Sequence, residues 1–294
     1  MKVLNYGSLN FDFVYAVDHI VAPGETLSSS RLEQHFGGKG LNQSIALARA
    51  GVPVFHAGLV GEDGQAFLDL CQKSGVDTRY IGSTPGKSGH AIIQVDKNAQ
   101  NCILLFGGSN QLQTKEYIDS VLANFEKGDI LLLQNEVNLL PYLIDKASEI
   151  GMTIVLNPSP FDEKIAACDL GKVGVFLLNE VEGAQLTGKS DPEQITQEIR
   201  ARYPHAIVVL TLGEAGSVYD DGKTTVRQPI FKVKAVDTTA AGDTFTGYFI
   251  YSLVQGMPAA EGLSIAAKAS AIAVSREGAT DSIPTLAEVQ AASL

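Results

Sequence analysis

The sequence predicts an α/β fold: a doubly wound, mostly parallel central sheet with helices on both faces, plus a small β-sheet lid. Three observations lead there. Short apolar runs alternate with amphipathic stretches along most of the 294 residues. The runs are apolar at every position rather than every second one, as strands in a parallel sheet covered on both faces must be. Two segments, 12–36 and 79–106, carry strand-like runs with no helix between them. Length suits one domain of this class, spanning residues 1–294, with those two insertions forming the lid.

In chain order, strands are expected at 3–6, 54–60, 130–134, 153–156, 173–178 and 207–211, each a continuous Val/Ile/Leu-rich run. Helices are expected at 42–50, 66–73, 114–125, 138–149 and 192–203, where apolar residues recur at helical spacing. Three more follow at 241–255, 258–275 and 285–291. Residues 88–96 and 101–106, joined by Lys97-Asn98-Ala99-Gln100, read as a hairpin. Its second arm, Cys102-Ile103-Leu104-Leu105-Phe106, is apolar on both alternating faces and needs cover from two sides. A second subunit would supply one of them, so a homodimer through the lid is expected.

Charge and composition exclude several classes. Lys plus Arg is 22 against 33 for Asp plus Glu, a net charge of −11 with no basic run, so nucleic acid and anionic membranes are poor partners. No stretch approaches the roughly 20 apolar residues of a membrane span, and the first residues lack a signal-peptide core. Cys71, Cys102 and Cys168 are scattered and unpaired in pattern, consistent with reduced thiols in a cytoplasmic protein.

Three segments carry chemistry. Gly37-Gly38-Lys39-Gly40-Leu41-Asn42 runs into a helix; paired glycines let the backbone approach a ligand, and Lys39 near the positive helix start calls for an anion or polyol. Asp237-Thr238-Thr239-Ala240-Ala241-Gly242-Asp243 opens another helix. Its small residues leave the N–H groups of Ala241, Gly242 and Asp243 free to meet an anion. A carboxylate beside an anion site suits phosphoryl transfer, with Asp243 as base for a hydroxyl, although Asp243 complementing the helix dipole is an equal reading. Asn179 and Glu182, three apart at the end of an apolar strand, face the same way on one turn and suit the hydration shell of Mg²⁺, or simply start a helix. Thr211-Leu212-Gly213-Glu214-Ala215-Gly216 reads as a nucleotide-phosphate turn or a plain turn between strands.

Taken together, residues 4–284 resemble the PfkB (ribokinase-like) carbohydrate kinase family. Gly37–Asn42 resembles its first signature and the segment 237–245 its second. Gly7-Ser8-Leu9-Asn10-Phe11-Asp12 and Gln134-Asn135-Glu136 are similar to the segments that hold sugar hydroxyls in members acting on D-ribose. The resemblance implies transfer of the ATP γ-phosphoryl group to a sugar's primary hydroxyl, most readily ribose, with other sugars, sugar acids or nucleosides as alternatives and a silent sugar binder as a remoter one. It implies Asn10, Asp12, Gly38, Lys39, Asn42 and Glu136 around the sugar, Asp243 as base, and an anion hole at Ala240, Ala241 and Gly242. Asn179 and Glu182 would organise Mg²⁺, while Thr211, Gly213 and Gly216 would hold the nucleotide. Asp237, Thr239, Ala273, Arg276, Gly278 and Ser282 match the positions that hold an activating K⁺, several through backbone carbonyls. His90, in the lid where an aliphatic or small residue is expected, departs from the family pattern: facing the sugar it would add a hydrogen bond or reject ribose, and facing outward, the favoured reading, it would do neither. Strand alternation turns Phe11 to the face opposite the two sugar-binding positions and leaves its role open.

Overall fold

The computed structural model describes residues 1–98 and 100–294. In chain order the first half runs β1 (Val3–Tyr6), β2 (Asn10–Ala16), β3 (Arg31–Gly37), α1 (Lys39–Arg49), β4 (Val54–Val60), α2 (Gln65–Lys73), β5 (Asp77–Ser83), β6 (Gly89–Val95), β7 (Asn101–Phe106), α3 (Lys115–Leu122), β8 (Ile130–Gln134) and α4 (Leu140–Ile150). The second half runs β9 (Thr153–Asn157), α5 (Glu163–Ala166), β10 (Val175–Asn179), α6 (Glu180–Thr187), α7 (Pro192–Arg202), β11 (Ile207–Thr211), β12 (Ser217–Asp220), β13 (Thr225–Gln228), α8 (Ala241–Val254), α9 (Ala259–Val274) and α10 (Leu286–Ala291).

Nine strands make the larger sheet, in the order β13-β12-β11-β10-β9-β8-β1-β4-β5. The strands from β11 to β5 are parallel neighbours, and β12 and β13 close one edge antiparallel. The continuous apolar runs feed two cores at once. Ile130 and Leu132 of β8, Val175 and Leu177 of β10 and Val209 of β11 point into the layer holding α1, α2, α8 and α9. Leu131 and Leu133, Phe176 and Leu178, and Val208 and Leu210 point into the layer holding α3, α4 and α7.

The four-stranded second sheet has the order β3-β2-β6-β7. Its composition differs from expectation at one boundary. Residues 79–83 run in β5 at the edge of the larger sheet, and the second insertion enters the small sheet only at Gly89. The run at 77–83 is half-buried rather than apolar throughout, because an edge strand is covered less, which hides its membership from an apolar-run criterion.

Two features of the topology position a site. After β1 the chain builds β4 and β5 to one side, then returns through β8 to the other, so the strand order reverses between β1 and β8. A crevice opens at the carboxyl ends of strands at such a reversal. The start of α1 lies in that crevice with its backbone against the turn after β1: the Leu41 N–H donates to the Ser8 carbonyl at 2.9 Å. A side chain on Gly40 would collide with the backbone of Gly7 and Ser8, and Gly38 holds φ +92°, so this helix start requires glycine.

Candidate active site

The crevice holds two cavities, linked by a hydrogen bond from Lys39, which lines the larger, to Glu136, which lines the smaller. The larger, about 240 Å³, is lined by Lys39, Asn179, Glu182, Thr211, Ala240, Gly242 and Asp243 from the residues singled out in the sequence, and by Asn157, Ser159 and Thr238 among others. The smaller, about 150 Å³, takes in Asn10, Asn110, Asn135, Glu136 and Leu105 of the lid strand β7. Glu136 receives the backbone N–H of Lys39 at 2.9 Å and the Ser8 hydroxyl on the same carboxylate oxygen.

Asp243 lies in the first turn of α8, a helix whose start has no side-chain cap and whose preceding residue, Ala240, holds φ +59°. Its carboxylate is buried and held on both oxygens: Asn42 Nδ2 donates to Oδ2 at 2.9 Å and Gln43 Nε2 to Oδ1 at 2.8 Å. The neighbouring N–H groups differ from the expected trio. Ala241 N–H is engaged by the Thr238 carbonyl at 3.3 Å, whereas Gly242 and Asp243, as second and third residues of the helix, have no carbonyl four residues back inside it. Space over Gly242 is open, with nothing within 4 Å of where a side chain would start.

Electrostatics concentrate here. Burial pushes the Asp12 carboxyl up to about 6, helped by Glu136 and opposed by His35. Burial raises Glu136 as well, against the pull of Lys39 and Ser8. Burial alone would lower Lys39, but the carboxylates of Asp243, Glu136 and Glu182 together raise it, so this lysine stays charged. A single ammonium donor among three carboxylate acceptors is a set that matches the hydroxyls of a polyol.

Asn179 and Glu182 come together differently from the expected water-orienting pair. They form a reciprocal capping box at the start of α6: Glu182 N–H donates to Asn179 Oδ1 at 2.9 Å and Asn179 N–H to Glu182 Oε2 at 3.1 Å. Asn179 Nδ2 and Glu182 Oε1 have no hydrogen bond among the described residues, and both side chains border the larger cavity. Gly213 (φ +51°) and Gly216 (φ +93°) flank a short turn after β11, outside the cavity lining that Thr211 reaches.

Asp237, Thr239 and Gly278 meet: Asp237 Oδ1 accepts from the Thr239 N–H and hydroxyl at 2.8 and 2.6 Å, and Oδ2 from the Gly278 N–H at 3.0 Å. The Ala273 carbonyl is met by the Arg276 N–H, the Arg276 side chain turns to Glu288 at 2.7 Å, and the buried Ser282 hydroxyl donates to Ala279 O at 2.8 Å. Among the described residues no three His, Cys, Asp or Glu side chains cluster as a metal site.

In the small sheet, Asp12 stands opposite His35 of β3 and Ala91 of β6, whereas His90 is in register with Phe11. His90 therefore projects to the other face, where its ring packs against Phe13 (5.8 Å between centroids) and Phe106 (4.9 Å). Phe11 turns the same way and stacks on Phe67 at 4.2 Å, inside the core. Sequence reasoning missed His35, which shares the Asp12 face, and Gln43 and Asn157, which reach Asp243 directly and through Gln43. The available signal was Asn42-Gln43-Ser44, three polar residues in succession within a helix whose buried stretch, 40–47, is otherwise apolar.

A family model for pfkB family carbohydrate kinases matches residues 1–286. The chain is 34% identical to a ribokinase from Haemophilus influenzae over 96% of its own length and 95% of that protein's. Among solved structures, ribokinase from Cryptococcus neoformans in complex with ADP superposes with a TM-score of 0.86 at 31% identity, covering 98% of both chains. Arabidopsis thaliana ribokinase complexed with ribose and ATP gives 0.86 at 27% identity over 98% of this chain and 97% of that one.

Proposed function

The chain belongs to the pfkB family of carbohydrate kinases, and from that premise we propose that this ATP-dependent sugar kinase converts D-ribose to D-ribose 5-phosphate. The observation that carries the reading is Asp243: a buried carboxylate, gripped on both oxygens by amide donors, beside the open N-terminal turn of α8 and a charged Lys39. The sugar binds between Asn10, Asp12, Gly38, Lys39, Asn42 and Glu136, whose amides, carboxylates and ammonium offer directional partners to several hydroxyls. A sugar lacking one of them leaves a buried group unpaired.

In the reaction, Asp243 accepts the proton of the primary hydroxyl as the oxygen bonds to the γ-phosphorus, and the bond to the bridging oxygen breaks, with ADP leaving. Ala240, Ala241 and Gly242 form the anion hole; the Gly242 N–H is ready, and the Ala241 N–H reaches a phosphoryl oxygen by giving up its long bond to Thr238. The small sheet acts as a lid on the single α/β domain and excludes water from the donor.

The donor sets fit the two cations. Glu182 Oε1 and the Asn179 amide are open beside the larger cavity, and Mg²⁺ held there through water would neutralise phosphate charge. Asp237, the Thr239 and Ala273 carbonyls and the loop through Arg276, Gly278 and Ser282 are oxygen donors with one carboxylate, a set suited to K⁺, which would stiffen the dipoles of the anion hole. Thr211, Gly213 and Gly216 would border the nucleotide. Among the described residues no helix is long and apolar enough to cross a membrane; with its scattered, unpaired thiols suited to a reducing compartment, the enzyme works in the cytoplasm. It does so as a homodimer through the lid, because Ile103, Leu104, Leu105 and Phe106 are each more than half exposed on an edge strand.

The test is ADP release from ATP–Mg²⁺ with K⁺ over a panel of pentoses, hexoses, sugar acids and nucleosides. A kcat/KM for D-ribose far above the rest is expected. Preference for another compound would replace the substrate but keep the mechanism; turnover of none would remove the kinase reading.

A further inference from the structure

Asp243 is the last member of a buried hydrogen-bond relay that reaches back across the larger sheet to a histidine. Gln43 donates to Asp243 Oδ1 at 2.8 Å, and its own oxygen accepts from Gln134 Nε2 at 2.6 Å. Gln134 Nε2 also donates to Asn5 Oδ1 at 2.9 Å. Asn5 Nδ2 donates in turn to the Gly40 carbonyl at 2.7 Å and to Ser44 Oγ at 2.8 Å, and Ser44 Oγ lies 2.7 Å from His56 Nδ1. Gln43, Gln134, Asn5, Ser44 and His56 are all 1% exposed or less.

The relay has a direction, and both ends set it. As the base, Asp243 offers only acceptor oxygens, so Gln43 must turn its N–H₂ toward it and its oxygen away. Gln134 must then present N–H groups, which leaves its oxygen as a buried acceptor with no partner among the described residues. Turning that amide over would set its oxygen against the oxygens of both Asn5 and Gln43. At the far end, the Gly40 carbonyl can only accept, so Asn5 must turn its Nδ2 toward Gly40 and Ser44 and its oxygen toward Gln134; Ser44 Oγ, which accepts from Asn5, is fixed in place by its contact with the buried His56 ring. Each amide thus has one permitted orientation, and a buried network in that state is rigid.

We propose that Gln43, locked by Gln134 and Asn5 and anchored on Ser44 and His56, is a positioning residue that with Asn42 fixes the Asp243 carboxylate in the plane and orientation needed to receive the hydroxyl proton. Asn42 also belongs to the sugar site, so Gln43 is the contact free to serve the base alone. This rests on Asp243 being the base. Misplacing a reacting group by about 1 Å costs on the order of 100-fold in rate, so a dedicated holder has a clear purpose.

The experiment compares the full-length enzyme carrying Gln43→Met, Asp243→Asn and both together, reading kcat, sugar Kd by calorimetry and Tm. Gln43→Met keeps side-chain length but removes both polar atoms. It is expected to lower kcat about 10- to 100-fold while sugar Kd moves less than about threefold. In the Asp243→Asn background the same change should alter residual kcat less than about twofold, since the group it positions is gone. An equal loss in both backgrounds, or wild-type kcat for Gln43→Met beside a crippled Asp243→Asn, overturns the positioning role alone. Wild-type turnover in Asp243→Asn overturns the base assignment and the positioning role with it. If Gln43→Met does not fold, Gln134→Met, one bond further from Asp243, carries the test. A loss of about 3- to 10-fold that vanishes in the Asp243→Asn background supports the relay, and no loss overturns it.

Discussion

The backbone N–H of Lys39 donates to Glu136 Oε2 at 2.9 Å, joining the start of α1 to the turn after β8 at a carboxylate that lines the smaller cavity. The same oxygen takes the Ser8 hydroxyl, so one half-buried carboxylate ties three chain segments together. Glu136→Gln keeps the shape and one oxygen for the two backbone and hydroxyl donors, but sets an N–H₂ where the other carboxylate oxygen would accept from a sugar hydroxyl. We expect the sugar KM to rise about 10- to 100-fold, with a smaller change in kcat. Steady-state kinetics on a folded variant check it, and an unchanged KM would take Glu136 out of sugar binding.

Asp243→Asn removes the proton acceptor while keeping hydrogen-bonding atoms in place. Turnover should fall about 10²- to 10⁴-fold, the usual worth of a general base, with sugar affinity affected much less. Rapid-quench measurement of the phosphoryl step together with calorimetry of sugar binding separates the two effects.

Asp12 gives sugar binding a pH dependence. Its carboxyl, raised by burial to about 6, must be ionised to accept from sugar hydroxyls. The sugar KM should therefore be flat above about pH 7 and rise by up to about tenfold per unit below 6. Asp12→Asn should abolish that limb while raising KM at neutral pH. A wild-type KM that stays level from pH 7 to 5 is incompatible with this.

His56 should govern acid stability. Its folded pKa is depressed to about 4 from 6.5, so between those values the unfolded chain binds a proton that the folded one refuses. Stability is full above about pH 6.5 and falls as pH drops toward 4, by on the order of 3 kcal/mol. Asp12 works in the opposite sense: its raised pKa stabilises the fold below about 4, and that contribution is lost as pH rises through 6. The informative quantity is thus the difference between wild type and His56→Leu in thermal melts from pH 4 to 7, where the wild type alone should carry the His56 slope.

The apolar strands and the motif-bearing helix starts were legible because each depends on local chemistry. A run such as Ile130–Gln134 has no other use for five consecutive buried positions, and glycines at 38 and 40 meet a backbone they cannot avoid. What escaped was set by distant pairing. Edge strand β5 lacks a continuous apolar run because only part of it is covered. Gln43 looks like one more residue of an amphipathic helix until Asp243, 200 positions later, is seen against it. The capping box of Asn179 and Glu182 shows the converse: a spacing read as ligand-binding also satisfies the helix's own N–H groups.

The lid strand β7 makes the last prediction. It pairs only with β6, and Ile103 and Leu104, on opposite faces, are 57% and 67% exposed. An edge strand apolar on both faces is a template for association unless something covers it. A second copy of the same strand is self-complementary and removes both liabilities at once. Leu104 shares its face with His90 and Phe106, so Leu104→Glu would bury a charge in that interface without touching the face that carries Asp12. Sedimentation should show wild-type dimers and mutant monomers at micromolar protein. If closure of the lid depends on the partner, the monomer's sugar KM should also rise, by several-fold or more. A wild type that sediments as a monomer would leave β7 to be covered by something other than a second copy.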